Sequence, residues 1–417
     1  MTSSLLVASA GQGVVFSPNT TRYMACGMTA LDAQTTQVDR QIIFREPGGI
    51  NTISVRVSAH FRTVGDITLQ KNGSDTALTV NVPSSTAGYF EFNDFGNDVV
   101  VADGDMFNYK DVQQTSVGGS MTVTAVSIVF TPTDSTKTVV RCVAVSINNY
   151  WGFGSNMMPL CGYQGSQFLV EERAQCGFSS DAVLMNLDAY LPVNSRGGCD
   201  FFTRINGVSG TVQSDMGTIG TGYFNDLFAT TGHSDAITYG DLVNMMWVGG
   251  NTGGGSNEIY PKWCAIDLVT YDKTFYFLFS QPASITLFTD PDYFPVGGTG
   301  IAGQATESGA QLDFNLAGRR IADFWTQVAV GAAGSNDTQL MFRKNAANTN
   351  VYIDVPATED GQFRSRFNES LAANDDICIR GSGGFSGVYS WTLRVYDDTA
   401  TKKFLGNTTL LGNTAIL

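Results

Sequence analysis

The stretch Leu69-Gln70-Lys71-Asn72-Gly73, continued by Leu78-Thr79-Val80-Asn81-Val82-Pro83 and Gly88-Tyr89-Phe90, reads as consecutive strands joined by tight turns. Asn-Gly between two apolar runs is a strong hairpin signal, because both residues tolerate the positive φ of a type I′ turn. The same landmarks return twice. One copy is Phe202-Thr203-Arg204-Ile205-Asn206-Gly207 with Gly222-Tyr223-Phe224. The other is Phe342-Arg343-Lys344-Asn345 with Val351-Tyr352-Ile353-Asp354-Val355-Pro356 and Gly361-Gln362-Phe363. From the turn Asn to the Phe is 18 residues each time (72 to 90, 206 to 224, 345 to 363). The third copy has Asn345-Ala346 in place of Asn-Gly, so its turn is expected to differ.

Further landmarks keep the same order. Each copy carries an acidic turn, Asp103-Gly104-Asp105, Tyr239-Gly240-Asp241 or Asn374-Asp375-Asp376. Each then reaches a closing strand, near Val123–Phe130, Trp263–Val269 and Trp391–Val395. Cys26-Gly27 and Cys161-Gly162 lie upstream at matching distances, 46 and 45 residues before the Asn-Gly turns. Internal repetition at a fixed period is the mark of a chain built from one unit used several times. Three units of about 139 residues fill the 417, which predicts modules over 1–135, 136–273 and 274–417.

Each unit reads as β. Ile53-Ser54-Val55-Arg56-Val57-Ser58-Ala59 alternates apolar and polar residues, the pattern of a strand with one face buried. Turn residues recur at short intervals, and no helical periodicity persists for three turns. The expected fold is therefore all-β: three tandem β-sandwich, jelly-roll-like modules. Short polar links such as Thr131-Pro132-Thr133-Asp134-Ser135-Thr136 predict modules that touch rather than swing.

Composition narrows the function. There are 38 acidic and 24 basic residues, and the net charge is −14. The share is even: 12 acidic and 7 basic in 1–135, the same in 136–273, and 14 and 10 in 274–417. A chain without a basic face is a poor candidate for binding a phosphate backbone, so no nucleic-acid partner is expected. The N-terminal apolar run is shorter than a secretory core, and no run reaches the length of a membrane span. A soluble protein made in a cytoplasm, without membrane insertion, is the expectation.

Chemistry is sparse. Only His60 and His233 offer an imidazole, and no G-x-S-x-G elbow occurs. Seven cysteines include no C-x-x-C pair, which predicts buried reduced thiols. Gly298-Thr299-Gly300-Ile301-Ala302-Gly303 fits a dinucleotide fingerprint but lacks the surrounding βαβ pattern, so it reads as a glycine loop. No catalytic residue and no cofactor are expected. Calcium is the one metal considered, with Asp103, Asp105, Asp375 and Asp376 as candidate oxygen ligands. The competing reading is that a Gly-Asp turn ties its own backbone through Asx hydrogen bonds, and its repetition favours that reading. Tyr150, Trp151 and Phe153, set among glycine, are the candidates for stacking on a sugar or anchoring a partner.

The string Lys71-Asn72-Gly73, Val80-Asn81-Val82-Pro83, Gly88-Tyr89-Phe90 and Gly104-Asp105-Met106-Phe107-Asn108-Tyr109 resembles modules of bacteriophage structural proteins, in tail fibres and other virion surface proteins. The opening Met1-Thr2-Ser3-Ser4 with Thr21-Arg22-Tyr23-Met24 is similar to the start of such chains. The resemblance covers roughly residues 1–135 and implies a non-enzymatic virion protein. A tail-fibre or adsorption component presenting β-sandwich heads to a host glycan or protein comes first. A capsid decoration or coat protein is the alternative, and a polysaccharide depolymerase the third. Its partners would be itself, as a homotrimer or a pseudo-threefold assembly, and other virion proteins.

Overall fold

The computed structural model describes residues 3–18, 20–63, 65–84, 86–112, 119–146, 154–164, 171, 174–194, 199–215, 221–249, 259–272, 275–280, 291–297, 306–312, 318–328, 337–357, 359–372, 375–383 and 389–397. The protein is all-β, as its patterning predicts. Among the described residues the helices are single turns, at Gln37–Arg40, Phe228–Thr231 and Glu307–Ala310. None is long and apolar enough to cross a membrane.

Strand order gives the architecture. In residues 4–132, one sheet carries Ser4–Phe16, Met121–Pro132, Gly48–His60 and Thr86–Asp94, side by side in that order. A second sheet carries Arg22–Ala25, Met106–Asp111, Gly65–Lys71 and Ser74–Val82. Counted first to eighth along the chain, these strands lie in the orders 1-8-3-6 and 2-7-4-5, with antiparallel neighbours. That interleaving is a jelly roll, in which two sheets share strands drawn alternately from both halves of the chain.

The order recurs further along. Thr138–Ser146, Trp263–Thr270, Ala182–Leu191 and Gly222–Asp226 form one sheet, faced by Gly154–Met158, Leu242–Gly249, Cys199–Ile205 and Val208–Asp215. Phe275–Ser280, Tyr389–Asp397, Arg319–Val328 and Gly361–Leu371 form another, faced by Asp292–Phe294, Ile377–Ser382, Thr338–Lys344 and Ala347–Val355. The closing strands foreseen near 123, 263 and 391 are the eighth strand of each set, centred in its sheet.

The hairpin turns give one correction. Asn72 and Gly73 have φ of 51° and 83°, and Asn206 and Gly207 have 52° and 78°, as type I′ requires. Asn345 and Ala346 take the same geometry, at 53° and 59°, with Lys344 paired to Ala347 across a two-residue loop. The third turn therefore does not differ, although Ala bears the left-handed backbone there.

A second difference concerns the strand Gly48–His60. Its alternation predicts one exposed face, yet Ile53, Ser54, Val55, Arg56 and Val57 are all buried. On the polar face, Arg56 is covered by residues from beyond position 300, Ser308 and Asp376. One apolar cluster runs from Leu5 to Val395 through all three sets of sheets, so they share a continuous core.

Candidate assembly interfaces

The acidic turns and the hairpin turns meet in the same way in every copy. Asn72 Nδ2 donates to Asp105 Oδ1 at 2.7 Å, and Asn72 Oδ1 accepts from the Met106 amide at 2.8 Å. Asp105 Oδ2 accepts from the Ala102 amide at 2.7 Å. In the second copy, Asn206 Nδ2 donates to Asp241 Oδ1 at 2.6 Å, Leu242 N donates to Asn206 Oδ1 at 2.9 Å, and Thr238 N donates to Asp241 Oδ2 at 2.6 Å. In the third, Asn345 Nδ2 donates to Asp375 Oδ1 at 2.6 Å, Asp376 N to Asn345 Oδ1 at 2.9 Å, and Ala372 N to Asp375 Oδ2 at 2.7 Å. Each Asn thus clasps the loop before the seventh strand to the hairpin after the fourth. Burial pushes the carboxyls of Asp105 and Asp241 up, but the hydrogen bonds outweigh it and hold both below the usual 3.8.

Of the calcium candidates, Asp105 and Asp375 have both carboxylate oxygens on amide donors of this clasp. Asp103 is exposed and lies 3.4 Å from Arg45 Nη1, and Asp376 lies 3.5 Å from Arg56 Nη1. The four are not brought together, since two belong to the first copy and two to the third. Among the described residues there is no group of three or more His, Cys, Asp or Glu side chains able to hold a metal. Tyr150, Trp151 and Phe153, and the glycine loop 298–303, lie outside the described residues.

Contacts between the sets of sheets use equivalent places. Arg45, beside the clasp loop of the first copy, places Nε 3.1 and 3.0 Å from the two carboxylate oxygens of Asp188, on the third strand of the second copy. Asp188 also pairs with Arg141, whose Nη1 lies 3.1 Å from Asp267 Oδ1. Asn186 Nδ2 donates to Asp267 Oδ2 at 2.9 Å. Arg141, Asp188 and Asp267 are each 1% exposed, so two cations and two anions neutralise one another away from water. Burial pushes the Asp267 carboxyl up despite Arg141 and Asn186.

The next contact is aromatic. Tyr239, in the clasp loop of the second copy, accepts from Arg364 Nη1 at 2.7 Å and meets the Trp325 ring edge-on at 5.5 Å. Trp325 is on the third strand of the third copy, and Arg364 pairs with Asp323 on that strand. Gly177 allows the approach, because a Cβ there would lie 2.3 Å from Trp325 Nε1. Thr392 Oγ1 donates to the Gly177 carbonyl at 2.9 Å, and Ser390 Oγ to that of Gln175 at 2.8 Å.

The last contact returns to the start of the chain. Arg56, on the third strand of the first copy, donates to the Ser308 carbonyl at 2.9 Å and faces Asp376 of the third copy's clasp. Ser9 Oγ donates to the Gly297 carbonyl at 2.7 Å.

Little of this was visible in the sequence. The usable signal was a charge inside a mainly apolar strand: Asp188 in Ala182–Leu191 and Asp267 in Trp263–Thr270. Such residues are buried only when paired. The histidines stand apart. His60 is fully buried with both ring nitrogens unpartnered, and burial, then the Arg62 charge, lowers its pKa. His233 Nδ1 lies 3.0 Å from Asp226 Oδ2 in a turn whose Thr231 hydroxyl also goes to Asp226. Six cysteines are buried thiols, and burial pushes those of Cys26 and Cys176 up to about 12. The side chain of Cys199 lies outside the described residues.

No family model and no curated protein matches the chain. Solved structures align over long stretches with little agreement. A chain of the infectious bursal disease virus Gx strain is 8% identical over 99% of this chain and 87% of its own, with a TM-score of 0.18. One from Sulfolobus turreted icosahedral virus is 10% identical over 94% and 95%, at 0.18. The STIV MCP is 9% identical over 64% and 97%, at 0.17. At these TM-scores the alignments carry no argument, and the strand order above stands without them.

Proposed function

We propose that this chain is a non-enzymatic virion structural protein, and within that class a coat or shell unit. The observation that carries the reading is the jelly-roll strand order found three times in one chain, in sets that pack on one another through a continuous core. The resemblance of residues 1–135 to phage structural modules points the same way. A string of heads along a fibre would leave the third set away from the first; here Arg56 and Ser9 bind residues beyond 295. A compact block of three sandwiches suits a tile better than a rod, so the coat reading goes ahead of the tail-fibre one. In this reading the clasp carboxylates of Asp105, Asp241 and Asp375 tie turns and are not metal ligands.

The test is imaging of the particle that contains the protein, with its copy number. Even coverage of a shell is expected. Confinement to a tail tip would transfer the protein to the adsorption apparatus, and absence from particles would end the virion reading altogether.

A further inference from the structure

The three contacts between sets share one geometry. In each, the loop clasped by the turn Asn, or in the first joint Arg45 packed beside that loop, docks on the third strand of another copy or on the side chains beside it. The first copy's Arg45, at its clasp, meets Asp188 of the second. The second copy's Tyr239 meets Trp325 of the third. The third copy's Asp376 meets Arg56 of the first. Arg56, Asp188 and Asp323 are equivalent, each sitting beside an irregularity in the third strand's pairing and opposite Ala125, Ala265 and Arg394 of the eighth.

A second series of contacts runs in the same rotational sense. Met28, next to Cys26-Gly27, pairs with Cys142 on the second copy's first strand. Cys161, next to Gly162, directs its thiol 3.9 Å from the Phe279 carbonyl on the third copy's first strand. Gly297 accepts from Ser9 on the first copy's first strand. Two independent sets of residues thus pass from first to second, second to third and third to first.

Head-to-tail contacts either close into a ring or propagate without end. We infer that this one chain is a complete, closed pseudo-threefold ring, and that its third joint, which no chain linker holds, is made to the first copy of the same molecule. The partner for the face around Arg56 and Ser9 is therefore the chain's own third copy. The faces that a homotrimer of single modules would use between subunits are consumed inside one chain. The outward edges, where the fifth and sixth strands end their sheets, stay open for further association. The inference rests on these contacts alone and does not depend on a role in a virion.

The test uses the full chain with Val7→Cys and Gly297→Cys. A Cβ at Gly297 would lie 3.4 Å from the Cβ of Val7, close to the roughly 3.5–4.5 Å that a disulfide spans. The double variant is held with diamide, which takes up the two electrons and two protons released, in urea below the unfolding transition. The wild-type chain is treated alike as the control for its own thiols. The expected product is a monomer with an internal bond, running faster on a non-reducing gel and restored by reductant. Light scattering on the dilute, untreated wild-type protein should give the mass of one chain. A ladder of bonds between chains, or no bond in the double variant, overturns the closed joint. A wild-type mass of three chains overturns the inference even if the double variant fails to fold.

Discussion

At the scale of single residues, the turn asparagines do two jobs. Each accepts a left-handed backbone and spends its side chain on the clasp, which makes the choice of Asn intelligible where Gly alone would satisfy the turn. Asn206→Ala removes two side-chain hydrogen bonds, one of them to a carboxylate. It should cost about 2–3 kcal/mol in urea denaturation, and a loss below about 0.5 kcal/mol would show the clasp to be incidental. Ala346 has no such compensation: a left-handed Ala costs about 1 kcal/mol, so Ala346→Gly should stabilise by about 0.5–1 kcal/mol. Its Asn-Ala sequence hid the type I′ turn because the tie to Asp375, 30 residues on, fixes a conformation that local preference does not. The carboxylates add a pH dependence. Asp105 and Asp241 are held below 3.8, so their contribution is complete above about pH 4 and disappears as pH falls through the lower folded values. Asp105→Asn should flatten the acid limb of a stability–pH curve in that window, and an unchanged slope would remove Asp105 from the account.

At the scale of elements, alternation and turn signals were enough to place the hairpins, the closing strands and the all-β class. They failed where a strand's outer face is covered by a distant part of the chain. Ser54 and Arg56 look solvent-facing because period 2 reports only the pleat, not what lies above it. The candidate site was less legible still: the acidic turns were found, but the contacts between copies rest on Arg45 and Tyr239, whose partners Asp188 and Arg364 lie 143 and 125 residues away, and on Arg141, 47 residues from Asp188. The buried charges allow a ranking. Asp188→Ala leaves Arg141 half-paired in a dry interior and should destabilise by about 3–5 kcal/mol. Arg45→Ala removes the one partly exposed charge of the group and leaves Asp188 bonded to Arg141, so it should cost about 1–2 kcal/mol. Chemical denaturation of both variants settles it; equal losses would mean that the four charges do not act as one neutral group.

At the scale of the whole molecule, the three joints are geometrically alike and chemically different. The first is a buried four-charge network, the second an aromatic and hydroxyl contact, and the third a guanidinium 3.5 Å from Asp376, a carboxylate 38% exposed. The first two joints are also held by the chain, which runs from Pro132 to Thr138 and from Thr270 to Phe275 and keeps the partners at high effective concentration. The third has no such tether, and its ion pair is longer and more exposed than that of the first, so a ring built this way should open there first. An opened ring exposes one donor face and one acceptor face, which are complementary between molecules and join chains head to tail. Arg56→Ala should therefore leave the jelly rolls folded but produce dimers and larger species whose proportion rises with concentration, whereas Arg45→Ala, at a tethered joint, should stay a single chain. Light scattering over a hundredfold range of concentration separates the two. An Arg56→Ala protein that remains one chain throughout would mean that apolar packing around Val7 and Gly297 holds the ring shut without its ion pair.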